Sequence, residues 1–506
     1  MAIVLGLDIG TTSTIGILLD TDGAVLALAD APVALHSDHP GWAEEDPEEW
    51  WANTGAICRR LLAEAGIAPA AVKAVGVTGM VPALVALDAD GRPVRRSIQQ
   101  SDGRTGAEVA ALARDVDAAR FLARTGNGVN QQLVAPRLRW LARHEPDAFA
   151  RIATVLGSYD FIAGRLTGAP ALERNWALEA GFLDLGTSAI AEDLVALGGI
   201  GPEKLPPLRP GEAVVGTVRQ AAAQHTGLAV GTPVVAGAAD HVASAFVAGI
   251  SAPGDLLIKF GGAGDVLLAT ADPRPDPRLF LDFHVVPGLY MPNGCMVSSG
   301  SLLNWFVATL ARDQQAAAEL TGERAHARLD ALAAQVAPGS EGLVLLPYFL
   351  GEKTPIQDPA ARGTLVGLGL HHGQGHLWRA FLEAVAYGFR HHVDVAQEIG
   401  YPVTRIVASD GGTRSTVWMQ VAADVLGRPV QLLEGHPGSC LGAAYVAGVA
   451  IGALPGWGEM GRFVRPARVV EPNAAAMAIY DESYGAYRAL YETLKSFYPR
   501  LARFSG

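Results

Sequence analysis

The chain has 506 residues, half of them hydrophobic, with 39 Lys+Arg against 51 Asp+Glu and a net charge of -12. That length exceeds one compact core and predicts two large domains, and the acidic balance excludes a general affinity for nucleic-acid phosphates. Three widely spaced cysteines, Cys58, Cys295 and Cys440, predict reduced thiols rather than a disulfide framework, and no Cys/His metal-ligand spacing occurs.

The opening "AIVLGLDIGTTSTIGILLDTDGAVLALAD" reads as strand, small-residue turn, strand, Asp-Gly turn, strand. It has neither the basic region nor the uninterrupted apolar core of a signal peptide, so a cytoplasmic protein is expected. Beyond it, short β-rich runs (74–77, 84–87, 233–236, 343–346, 405–408) alternate with Ala/Leu-rich helical stretches (50–65, 106–122, 377–395, 416–426). Such interspersion predicts α/β layers around a mixed sheet. "GDLLIKFGGAGDVLLAT" then repeats the opening figure, which predicts two related halves. The boundary falls in "GISAPGD", with 1–249 as the first domain and 250–506 as the second, ending in a helical tail over 474–494. The uncharged run 285–311 is long enough to span a bilayer, but Pro287, Gly288, Pro292, Asn293 and Gly294 break it, and no membrane segment is expected.

Three glycine-dense turns carry the first chemical signal. In "LDIGTTS" a strand ends in Asp8, and Gly10, Thr11, Thr12 and Ser13 follow. Backbone N–H groups and hydroxyls there can surround a phosphate beside a carboxylate able to hold Mg²⁺ through water; an ordinary polar hairpin is the alternative. "KFGGAGD", with Gly261, Gly262 and Gly264, occupies the equivalent place in the second half, and two such turns could clamp a polyphosphate between domains. "ASDGGTRS", with Gly411, Gly412 and Ser415, follows a strand and precedes a helix, a common seat for a nucleotide's base and ribose. No Walker A run occurs.

The stretch "VVAGAADHVASAFVAGI" is apolar or small almost throughout yet contains Asp240 and His241. A carboxylate in such surroundings is held by local hydrogen bonds or kept for chemistry. Asp240 follows a strand and opens a helical stretch over 242–248, so it is either an N-cap or a carboxylate kept ionised by the helix N-terminus. Trp42, Trp50 and Trp51 read as packing residues. Asp102 and Arg104 in "SDGR" form an ion pair or line a site, and both readings stay open.

The ordered set "LDIGTTS", "GWAEEDPEEWW", "LVALDADGRPVRRSIQQSDGRT", "GTPVVAGAADHVASA", "LPYFLGEKTPIQDPAARG", "HLWRAFLEAVAYGFR", "SDGGTRS" and "LGAAYVAG" resembles the FGGY carbohydrate kinases, closest to their xylulokinase-like members. The resemblance implies two actin-like ATPase domains, ribonuclease-H-like in core, with ATP, Mg²⁺ and a small sugar in the cleft between them. It implies Asp240 as the catalytic base and Asp8, with Asp240, beside the metal. It also implies Gly10, Thr11, Thr12, Ser13, Gly261, Gly262 and Gly264 at the phosphates, and Gly300, Gly411, Gly412 and Ser415 around the adenosine. The implied reaction is ATP-dependent phosphorylation of a terminal hydroxyl, with a ketopentose as the first substrate class. A polyol or sugar acid is the second, and a non-catalytic actin-like ATPase is the rival from another class.

Departures from the xylulokinase pattern gather at the implied sugar positions. Val81 and Pro82 replace a Met-His pair, Gln100 and Ser101 replace Trp-Asn, His241 replaces an asparagine, and Gln132 stands where glycine or an aromatic is usual. Val81, Pro82, Gln100, Gln132 and His241, with Asp102, make up the expected sugar contacts. Loss of one donor and gain of polar groups at other angles predict that D-xylulose itself is a poor substrate. In the second turn Gly262 and Ala263 replace Thr-Ser, and Asp265 beside it either points away or contacts metal. The expected partners are the sugar alone, with no nucleic acid and no membrane, and the sequence is compatible with a homodimer.

Overall fold

The computed structural model describes residues 2–435 and 438–501. The apolar opening folds as a meander: Ile3–Ile9 pairs antiparallel with Ser13–Asp20, and Ser13–Asp20 with Val25–Pro32. Val72–Gly79 joins the first strand in parallel, Pro233–Val235 follows in parallel and Val214–Thr217 closes the edge antiparallel. The two residues Ala238–Ala239 extend the pairing along the end of Val72–Gly79.

Parallel neighbours need a crossover, usually helical, and Pro47–Ala65 supplies the first. Asp46 accepts from the Glu48 N–H, Pro47 opens the helix, and Gly66 ends it at φ +63°. That cap starts the helix three residues before Trp50. The stretch expected as one helix over 106–122 is two, Gly106–Asp115 and Ala118–Thr125, because Asp117 turns outward and caps the second through the Arg120 N–H.

The second sheet repeats the first. Asp255–Phe260 pairs antiparallel with Gly264–Leu268, which pairs antiparallel with Tyr290–Met296. Arg405–Ser409 and Val430–Glu434 add in parallel on the other side, and Arg465–Val470 closes antiparallel. Strand order and directions match those of the first sheet, so both glycine-rich turns join the first and second strands of equivalent sheets. Each unit is an α/β structure built on a mixed sheet, and neither sheet closes into a barrel.

Among the described residues, 2–251, 271–291 and 438–464 form one compact unit, and 252–270, 292–435 and 465–501 the other. Two later segments thus fold with the first unit, whereas a single boundary at 249/250 assigns them to the second half. One of them, helix Ser439–Ala450, lies on Ile3–Ile9 and Val72–Gly79. Gly6 and Gly76 are register partners there. A Cβ on Gly6 would lie 1.9 Å from the Cys440 carbonyl oxygen, and one on Gly76 2.0 Å from that of Ala443. Only glycine lets the helix backbone come this close to the sheet. Gly16, on the opposite face, meets Ile57 of helix Pro47–Ala65 in the same way.

In the second unit the long helix Gln374–Ile399 buries Trp378, Phe381, Leu382, Val385 and Phe389 against the sheet and helix Thr416–Leu426. Helix Ala474–Leu494 sets Tyr480, Tyr484 and Tyr487 against Tyr348 and Tyr387. The three cysteines form no disulfide. Among the described residues, no helix is long and apolar enough to cross a membrane, and the run 285–311 divides into strand Tyr290–Met296 and helix Gly300–Leu310.

Candidate functional site

Register brings the first two carboxylates together. Asp8 pairs with Thr78, and Thr78 pairs with Ala238, two residues before Asp240. Both acids therefore reach the C-terminal end of one sheet, the end at which open α/β sheets bind ligands. The turn of Gly10, Thr11 and Thr12 follows Asp8 directly, closed by the Gly10 N–H donating to the Ser13 carbonyl at 3.1 Å. Ser439 Oγ donates to Asp8 Oδ2 at 2.5 Å from the first position of helix Ser439–Ala450, an end that favours negative charge.

Asp240 is the first residue of helix Asp240–Val247, and Ala239 is the N-cap. The side chain is thus no conventional cap. Asp240 Oδ1 accepts from the backbone N–H of His241 at 2.6 Å, and 36 % of the side chain stays exposed. His241 lies 2.8 Å through Nε2 from Asp282 Oδ2 and 3.3 Å through Nδ1 from Asp240 Oδ1, with Glu179 Oε1 at 4.0 Å. Burial alone pushes the imidazole down, but Asp282, Asp240 and Glu179 together raise it well above its ordinary value. Burial also raises Glu179, with Asp282 adding to the effect and His241 opposing it. The protonated form of the imidazole is thus favoured by the carboxyl groups around it. Donor atoms of Glu179, His241 and Asp282 lie within 4.8 Å of one another, although a hydrogen bond already engages His241 Nε2.

The remaining expected sugar residues divide. Val81 and Pro82 are buried, and the Pro82 carbonyl accepts from Arg137 Nη1, while Arg137 Nη2 reaches the Gln131 carbonyl at 3.5 Å. Burial pulls the Arg137 guanidinium down to about 10, against the attraction of Asp102. Asp102 is an ion-pair residue: its carboxylate takes two hydrogen bonds from the Arg104 guanidinium at 2.8 and 2.7 Å and one from the Ala43 N–H at 2.6 Å. Arg104 continues to Glu44 at 2.6 Å and lies over the Trp42 ring at 3.7 Å. Trp50 is buried and donates to Glu45, and Trp51 stacks on His225. Gln100 and Gln132 are half-buried. Gln99 is the fully buried neighbour, and its amide makes no hydrogen bond among the described residues.

The second unit holds a cavity of about 290 Å³. Gly261, Gly262, Gly300, Gly411, Gly412 and Ser415 all line it, so six expected nucleotide residues from three distant segments share one wall. Gly264 lies outside that lining, buried at the start of its strand. The carbonyls of Gly261 and Gly262 accept from the N–H groups of Ser299, Gly300 and Ser301 at 2.8–3.0 Å, which ties the turn to the start of helix Gly300–Leu310. Ser415 caps helix Thr416–Leu426 through the Trp418 N–H. Asp265 faces Lys259 across an antiparallel rung, with Nζ 3.7 Å from Oδ2.

Asn304, Arg324, His326, Asp330 and Trp378 also line the cavity and were not singled out from sequence. Asp330 holds Trp378 Nε1 at 2.8 Å, and His326 Nε2 lies 3.1 Å from Asn304 Oδ1. In the first unit Glu179, Asp282 and Gln99 were likewise missed. No local pattern marks them, since each becomes polar-in-core only through a tertiary contact.

The FGGY carbohydrate kinase N-terminal domain matches residues 3–247 and the C-terminal domain residues 256–451. The xylulose kinase of Rhodospirillum rubrum is 54% identical, with a TM-score of 0.93 over 98% of this chain and 99% of that one. The xylulose kinase of Escherichia coli K12 is 30% identical over 97% of this chain and 99% of its own length. The L-xylulose/3-keto-L-gulonate kinase of the same organism is 27% identical over 98% of each. Sugar kinases of this family use ATP as phosphate donor, typically with a divalent metal. On two matched domains and full-length similarity, the chain belongs to the FGGY family of carbohydrate kinases.

Proposed function

We propose that the protein transfers the γ-phosphoryl group of ATP to a terminal hydroxyl of a ketopentose, with Asp240 as general base. The observation that carries this reading is the setting of Asp240, a partly exposed carboxylate at a helix start on the same sheet end as Asp8. An acceptor-only carboxylate takes the proton of the sugar hydroxyl as its oxygen attacks phosphorus. N–H groups of the turns at Gly10–Ser13 and Gly261–Gly264 are suited to phosphate oxygens, and the cavity walled by Gly300, Gly411, Gly412 and Ser415 to the adenosine. The all-oxygen donor set of Asp8 and Asp240 fits Mg²⁺, which would supply charge neutralisation at the transferring phosphate.

The sugar class follows from charge. Asp240 presents a partly exposed carboxylate at the site while Asp282 is engaged by His241, and the Arg137 donors already serve the Pro82 and Gln131 carbonyls. A sugar acid would meet like charge there, so a neutral ketopentose is favoured over gluconate-type substrates. The name of the R. rubrum relative supports xylulose, whereas Val81, Pro82, Gln100, Gln132 and His241 support a different hydroxyl configuration. The reading includes a cytoplasmic location.

A coupled ADP-release screen over ketoses, aldoses, polyols and sugar acids tests the proposal. Release that depends on a ketopentose is expected. ADP release indifferent to every sugar would make the protein an ATPase that uses nucleotide for conformational purposes.

A further inference from the structure

His241 occupies a position at which a direct sugar contact is expected, yet both its ring nitrogens face carboxylates of the protein, Asp282 at 2.8 Å and Asp240 at 3.3 Å. A ring so engaged has no N–H left to offer a substrate hydroxyl. What it can do is hold the Asp240 carboxylate at one angle, provided Asp282 is itself fixed.

Asp282 is fixed by an unusual edge. It is the third residue of strand Phe280–Phe283, and the backbone of its two neighbours is bonded by side chains. Asn127 Nδ2 donates to the Leu281 carbonyl at 3.0 Å while its Oδ1 accepts from the Leu281 N–H at 3.0 Å. Asn175 does the same to Phe283, at 3.0 and 2.7 Å. Two buried asparagine amides thus reproduce the rungs of a missing strand, because a carboxamide carries the same donor and acceptor as a peptide group. Arg174 Nη2 adds a bond to the His284 carbonyl at 3.0 Å. Asn175 also lies in helix Arg174–Glu179, which delivers Glu179 to the same cluster.

We propose that His241, held by Asp282, is a positioning residue for the Asp240 carboxylate, and that Asn127 and Asn175 set its geometry by clamping the strand on either side of Asp282. This rests on the reading of Asp240 as the base. In that arrangement the base is aimed by a line of buried hydrogen bonds, and the sugar meets Asp240 itself and the Glu179 carboxyl.

The test measures kcat, sugar KM and Tm for His241→Ala, His241→Gln, Asp282→Asn, Asn175→Ala and the His241→Ala/Asp282→Asn double variant, with Asp240→Asn in parallel. Misplacing a reacting group by an ångström costs about a hundredfold in rate, so His241→Ala and Asp282→Asn are expected to lower kcat about 10- to 100-fold with sugar KM within about threefold. The double variant should be no slower than His241→Ala, since the two residues act as one unit. His241→Gln keeps one side-chain donor and should recover part of the loss, and Asn175→Ala should lower kcat in the same direction. A raised sugar KM with kcat intact in His241→Ala would make the ring a sugar contact and overturn the proposal, as would additive losses in the double variant. Should Asp282→Asn fail to fold, the ratio of kcat in His241→Gln to that in His241→Ala decides, and a ratio of one overturns it. The two readings fail separately: full turnover in Asp240→Asn removes the base, while an inactive Asp240→Asn beside a fully active His241→Ala removes only the positioning.

Discussion

Replacing Gly300 by alanine tests the phosphate-turn reading in the second unit. A Cβ there would sit 2.7 Å from the Gly261 carbonyl oxygen, short of an ordinary 3.4 Å contact. Its obstacle is backbone, so the turn itself must retreat. The turn is joined to the helix by three hydrogen bonds: Gly300 N–H to Gly261 at 2.8 Å, Ser299 to Gly262 at 2.9 Å and Ser301 to Gly262 at 3.0 Å. At about 1 kcal/mol net for each bond, weakening one to three of them amounts to roughly 1–3 kcal/mol. If the turn donates to ATP phosphates, its displacement also costs one to three hydrogen bonds to the nucleotide at the same worth, which raises the ATP KM by about 5- to 150-fold. The assay is ADP release at saturating sugar with ATP varied, then at saturating ATP with sugar varied, with Tm recorded. Gly485→Ala, where a new Cβ meets nothing within 4 Å, is the matched control. A folded Gly300→Ala enzyme whose ATP KM stays within about twofold of wild type would refute the argument that this turn carries the phosphates.

Asp240→Asn should retain nucleotide binding and lose about two to four orders of magnitude in turnover, the usual worth of a positioned general base; near wild-type turnover at saturating sugar counts against it. Asp8→Asn should raise the Mg²⁺ concentration needed for half-maximal rate while leaving sugar KM unchanged, and an unaltered Mg²⁺ titration would remove Asp8 from the metal site. D-xylulose should be outperformed by another neutral sugar in kcat/KM measured against D-ribulose, L-ribulose, L-xylulose, erythritol and glycerol; a D-xylulose lead of an order of magnitude would show that the altered pocket still fits it. Burial pulls His392 from 6.5 to about 4, its ring nitrogens engaged by the Gly388 carbonyl and Thr354 Oγ1. The unfolded chain then binds the extra proton, so this group's contribution is present above pH 6.5 and lost as pH falls toward 4, by up to about 3 kcal/mol. Denaturant titrations at pH 7 and 4.5 should show a smaller acid loss in His392→Gln than in wild type, and equal losses would exclude the group.

Much of the framework was readable because its signals are local. Helices Thr416–Leu426 and Ala474–Leu494 start and stop where anticipated, with Ser415 and Asn473 as their side-chain caps. The paired meanders were equally visible, since period-2 alternation and turn residues lie within single windows of sequence. The break at Asp117 was missed because alanine-rich flanks mask a capping aspartate. Asp240 was legible as a carboxylate out of place in an apolar run, but its partners were not. Glu179 and Asp282 stand 61 residues before and 42 after it, in stretches of ordinary polarity, and only the return of 271–291 to the first unit brings them near. Asn127 and Asn175 are silent for the same reason, as an amide that completes a strand edge resembles any loop asparagine.

The close approach of helix Ser439–Ala450 to Gly6 and Gly76 sets an order of events during synthesis. Strands Ile3–Ile9 and Val72–Gly79 leave the ribosome first, but the helix that covers one face of them is translated more than 350 residues later. Until it arrives, the groove made by the two glycines is an open apolar surface, and Asp8 lacks its Ser439 donor. The first unit is therefore completed after much of the second has been made, and a ribosome that stalls before residue 450 releases a chain with an unroofed sheet. Pausing, truncation or proteolysis within helix Ser439–Ala450 is felt at the first strand, which makes this late segment a checkpoint for the N-terminal one.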